Sequence, residues 1–79
     1  NALFERGRNL VAAQKWPESL PFFEEVAQLL PEAVEPHFYL GQCYFHLGRK
    51  DEAKRSLKIY DGAKPGEAEV VRLLQLLLP

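Results

Sequence analysis

The stretch from His37 to Pro65 limits what this chain can fold into more than any other. It reads His37-x2-Leu40-Gly41-x2-Tyr44, then Gly48, then Ala53-x3-Leu57, then Pro65. Gly41 and Ala53 are small where two antiparallel helices must cross closely, and Leu40, Tyr44 and Leu57 are large enough to fill the space around that crossing. Gly48 supplies the left-handed residue that ends the first helix, and Pro65 stops the second. The chain aligned on itself with a 34-residue offset pairs Phe4 with Phe38, Gly7 with Gly41, Glu18 with Glu52, and Pro31 with Pro65. The earlier half therefore carries a weaker copy of the same pattern, Leu3-x2-Arg6-Gly7-x2-Leu10 followed by Ser19-x3-Phe23.

This spacing resembles the tetratricopeptide repeat: an aromatic, then Leu-Gly, an aromatic, Ala-x3-Phe and a closing proline. The resemblance covers the whole chain. It implies an all-α solenoid of helix-turn-helix pairs with five helices: a first repeat over 1–33, a second over 34–67, and a capping or third-repeat helix over 68–79. Arg6 departs from the pattern, which usually places a leucine there.

The periodicity agrees. Apolar residues from Ala2 to about Gln14 follow a helical rather than an alternating rhythm. Lys15-Trp16-Pro17 reads as the turn, and Ser19, Phe23, Val26 and Leu30 form the inward stripe of the next helix. Pro21 predicts a kink or a loose first turn there. The following helices are expected over Pro36 to Leu47, about Asp51 to Asp61, and Glu67 to Leu78. Gly7 is expected against Ser19 at the first crossing, and Gly41 against Ala53 at the second.

Composition narrows the function. Ten basic and eleven acidic residues give a formal charge of −1 spread along the 79 residues, which argues against a general nucleic-acid binder. Lys50, Lys54 and Lys58 share a stripe, but acidic neighbours interleave, so a solvated outer face is the simpler reading. One cysteine excludes an internal disulfide. No apolar run is long enough to span a membrane. A soluble protein is expected, with the cytoplasm favoured. Asn1 in place of a methionine suggests a piece of a longer protein.

No metal site is expected. His37 and His46 fall on opposite sides of one helix, leaving Cys43 and His46 as too small a ligand set. No cofactor and no catalysis are expected either, because the chain has no phosphate-binding loop, no nucleophile elbow and no isolated carboxylate pair. Trp16 reads as a partly buried cover beside a turn rather than a ligand anchor.

What the resemblance implies is protein recognition. In each pair the first helix lines a groove, which places Phe4, Arg8 and Val11 beside Phe38, Gln42 and Phe45, with Arg72 following from the last helix. These residues are the expected site for a protein or peptide partner. The chaperone-binding members of the family grip a terminal carboxylate from these faces, but here the corresponding places hold Phe4, Arg8, Tyr39, Glu69 and Leu73, so that clamp is absent. The leucine-rich last helix carries an alternative, a homodimer or docking to missing repeats. If Val71, Leu74 and Leu78 face the second repeat, then Val70, Leu73, Leu76 and Leu77 remain for self-association.

Overall fold

The computed structural model describes residues 1–78 and contains, among them, five helices and no strand. They are α1 (Ala2–Ala12), α2 (Trp16–Leu29), α3 (Glu35–His46), α4 (Lys50–Ala63) and α5 (Ala68–Leu76). Helix α1 touches α3, and α3 touches α5, while α2 and α4 pack against their neighbours in sequence. The result is two layers, α1, α3 and α5 in one and α2 and α4 in the other, which is the all-α repeat arrangement that the resemblance implies.

The glycines do the work expected of them, one turn further along than expected. The nearest atoms to a Cβ placed on Gly7 belong to the Phe23 ring, at 2.7 Å, and for Gly41 Leu57 Cγ lies 2.5 Å away. Ser19 and Ala53 are fully buried close by. The small residues on both helices bring the axes together, and the large residue a turn later fills the gap under the glycine.

Both α1 and α3 end in the same way. The amides of Gln14 and Lys15 donate to the carbonyls of Val11 and Leu10, each at 2.8 Å, and those of Gly48 and Arg49 donate to Phe45 and Tyr44. This paired reversal needs one left-handed residue, which is Gly48 (φ 78°) in the second repeat and Gln14 (φ 59°) in the first. A side chain in that conformation costs about 1–2 kcal/mol, partly offset on changing to glycine by about 0.4–1 kcal/mol of extra unfolded-state entropy. Gln14→Gly is therefore expected to raise stability by up to ~1 kcal/mol, visible as a rise of several degrees in a thermal melt. An unchanged or lower midpoint would show that the αL conformation carries no strain here.

Helix α2 starts at Trp16, so that residue belongs to the first helical turn rather than to the loop. The helix runs unbroken through Pro21 to Leu29. The hydrogen bond Pro21 removes is to the carbonyl of the exposed Pro17, which leaves that acceptor to water. Helix α4 likewise continues through Gly62, beside which there is open space.

The two repeats are tied by polar contacts inside the core. Tyr44 Oη donates to Glu24 Oε2 of α2 at 3.0 Å, with the Arg49 guanidinium 4.8 Å from its ring centre. Burial first, and then this bond to a carboxylate, pushes the Tyr44 hydroxyl up to about 12. Cys43 Sγ lies 3.0 Å from Ser19 Oγ, and burial raises the thiol as well.

Helix α5 is rotated from its expected orientation. Val70 and Leu73 are completely buried and Leu77 is 6% exposed, so these three are core and are not available for self-association; of the four residues assigned to that role only Leu76, at 59%, stands in solvent. Val71 and Leu74 are half-buried, and Leu78 is 66% exposed. The repeat register explains the rotation. Val70, Leu73 and Leu77 correspond to Pro36, Tyr39 and Cys43, the positions through which α3 meets the preceding helix α2: Tyr39 stacks on Phe23, and Cys43 meets Ser19. Val71, Leu74 and Leu78 correspond to His37, Leu40 and Tyr44 by the same offset. Helix α5 has a preceding helix to pack on, and among the described residues none follows.

Candidate interaction surface

The residues expected to line the groove lie on the three helices of one layer: Phe4, Arg8 and Val11 on α1, Phe38, Gln42 and Phe45 on α3, and Arg72 on α5. Phe4, Val11, Phe38 and Phe45 are half-buried and pack against the core. Tyr39 joins the two phenylalanines nearest the helix starts, meeting Phe4 edge-on at 5.5 Å and Phe38 edge-on at 5.1 Å. Phe38 also reaches Tyr60 of α4 at 5.1 Å. Of these rings Phe4 reaches across the repeat boundary, Phe38 and Phe45 contact rings of their own repeat, and all three are partly exposed.

Charge on this surface is unevenly committed. Arg72 makes a two-pronged pair with Glu69, at 2.8 and 2.9 Å, and this hydrogen bonding holds the Glu69 carboxyl below its usual range. Glu35 pairs with Lys64 at 3.1 Å. Its carboxyl is held low first by backbone hydrogen bonding and then by that lysine. Arg8 is exposed, lies 5.8 Å from the centre of the Phe4 ring, and has no carboxylate partner among the described residues. Of the two arginines expected in the groove, it is the one without an ion pair among the described residues.

At the other end of α3, Trp16 stacks flat on the exposed His46, ring centres 4.0 Å apart and planes 7° from parallel. His46 meets Phe45 edge-on at 5.3 Å. Trp16 is thus a half-buried cover over the end of α3. Its partner could not be read from spacing alone, because the stack crosses between repeats. His37, by contrast, is turned inward: its Nδ1 is buried without a hydrogen-bond partner among the described residues, and burial lowers its pKa.

Hollows among the described residues include two of note. One, of about 190 Å³, sits where α1 begins and α2 ends, and includes Phe4, Val26, Leu30 and Pro36. The larger, of about 360 Å³, is a cleft between α4 and α5 lined by Lys54, Lys58, Val71, Leu74 and Leu78. Lys54 and Lys58, two of the three lysines read as a solvated stripe, therefore line one side of an apolar cleft. No helix among the described residues is long and apolar enough to cross a membrane.

Comparison with known proteins agrees with the repeat spacing. The family described as tetratricopeptide repeat matches residues 10–77. An uncharacterized TPR repeat-containing protein from Arabidopsis thaliana is 40% identical over 48 residues, which is 61% of this chain and 6% of that protein. The chain thus spans a small part of the length of that relative. No solved structure matches it.

Proposed function

Because the chain belongs to the tetratricopeptide repeat family, whose repeats generally mediate protein–protein interaction and typically lack catalysis, we propose that the α1–α3–α5 face docks a peptide segment of a partner protein. The observation that carries this reading is the occurrence of half-buried rings, Phe4, Phe38 and Phe45, on the same layer as Arg8, a cation with no carboxylate partner among the described residues. Such a face suits one or two large apolar side chains followed by a carboxylate. The rings give anchoring area and the guanidinium gives orientation. Neither hollow includes Phe38, Gln42 or Phe45, so the segment lies along a shallow surface, and binding of about micromolar strength is expected.

Titration calorimetry with synthetic peptides tests this. Peptides carrying Leu or Phe anchors and an adjacent Asp or Glu should bind. The same peptides with Lys in the acidic position should bind at least several-fold more weakly. Arg8→Glu should reverse that preference without changing the helical signal, because Arg8 lies outside the core. Equal binding of both peptide sets, or a preference untouched by Arg8→Glu, would rule out this face.

A further inference from the structure

The cleft between α4 and α5 is a second surface, separate from the peptide-docking face, and one element of the same chain complements it. Its floor is Val71, Leu74 and Leu78, and its α4 wall is Lys54, Lys58 and Asp61. Asp61 accepts from the Gly66 amide, neither lysine has an ion-pair partner among the described residues, and the wall is positive on balance. Helix α2 carries three carboxylates and no cation. On its outer side Glu18, Phe22, Glu25 and Leu29 recur at helical spacing along a single stripe. Phe22 is half-buried there, Leu29 is 61% exposed, and Glu18 and Glu25 are exposed without cationic partners among the described residues. Phe22 and Leu29 stand seven residues apart, as do Val71 and Leu78, so each pair spans about 10.5 Å of helix.

We propose that this cleft receives the outer face of α2 from a second copy of the chain, joining copies head to tail. Phe22 and Leu29 lie over Val71, Leu74 and Leu78, while Glu18 and Glu25 meet Lys54 and Lys58. Gln75 explains why the cleft takes a helix in this shallower way. It occupies the register of Gly7 and Gly41, whose missing side chains let Phe23 and Leu57 approach to within 2.7 Å and 2.5 Å of the Cβ position. With a glutamine there, a helix cannot seat on α5 as α4 seats on α3, and side-chain contact with paired charge takes the place of that close crossing. The two surfaces are different patches, so the contact is heterologous and extends into rings or filaments rather than closing as a two-fold dimer.

Sedimentation velocity of this 79-residue chain across a concentration series tests the contact. The average mass should rise with concentration and fall back as salt is added. Lys54→Glu with Lys58→Glu should abolish association, and so should Glu18→Lys with Glu25→Lys, each with an unchanged helical spectrum. An equimolar mixture of the two double variants should associate again, because each cleft then meets a stripe of opposite charge. A native chain that stays monomeric at millimolar concentration overturns the proposal, and so does association that persists in both variants or a mixture that fails to recover it.

Discussion

Replacing Phe23 with alanine is expected to remove about 3–5 kcal/mol of stability, enough to leave so small a repeat pair largely unfolded. Phe23 is completely buried and touches two other helices at once. Its ring fills the space under Gly7 of α1, stacks on Tyr39 of α3 at 4.9 Å, and meets Phe4 edge-on at 5.6 Å. Truncation leaves a cavity at a point where the first helix pair is joined to the second, and the backbone there cannot collapse without breaking the Gly7 crossing. Phe22, next in sequence and only half-buried, provides the control: Phe22→Ala should cost much less in the same urea titration followed by circular dichroism. Equal losses at the two positions would mean that Phe23 does not join the repeats.

The crossings were legible in the sequence because their requirement is local and steric: only a small residue fits where two backbones approach, and Gly7 and Gly41 recur in register. Helix ends were less legible. Gln14 continues a helical pattern by composition, yet it takes the left-handed conformation that Gly48 takes in the next repeat, and only the register linked the two. The orientation of α5 was not legible from its own residues, since a helix rich in leucine and valine offers more than one apolar face. Its orientation follows from comparison with α3, where Tyr39 and Cys43 show which side meets the preceding helix. Of the interaction surface, the helix faces were legible but the ion pairs were not. Arg8 and Arg72 each follow a glutamate by three residues, Glu5 and Glu69, yet among the described residues only Arg72 forms the ion pair, so the same spacing has two outcomes. The α4–α5 cleft was hidden for a related reason. Lys54 and Lys58 acquire an apolar neighbour only after α5 docks through Val70, Leu73 and Leu77.

Substituting alanine for glycine should have opposite signs at two helical positions. Within a helix the change is worth roughly 0.5–1 kcal/mol in favour of folding, because the unfolded chain loses freedom and nothing else changes. At Gly62 of α4 a new Cβ meets nothing within 4 Å, so Gly62→Ala is expected to stabilise by that full amount. At Gly41 of α3 the same Cβ falls 2.5 Å from Leu57 Cγ. That atom is the branch point of a completely buried side chain rather than a free end, so it cannot swing aside. Overpacking of this kind costs about 1–3 kcal/mol, which exceeds the helical gain, and Gly41→Ala should destabilise. The double variant Gly41→Ala with Leu57→Ala separates the two contributions. Leu57→Ala alone should cost about 2–5 kcal/mol through its cavity, but combined with Gly41→Ala it should cost less than the sum, because the added methyl no longer meets a branch point. Strict additivity of the two changes would mean that Gly41 and Leu57 do not meet at the crossing, and the packing of α3 against α4 would have to be drawn differently.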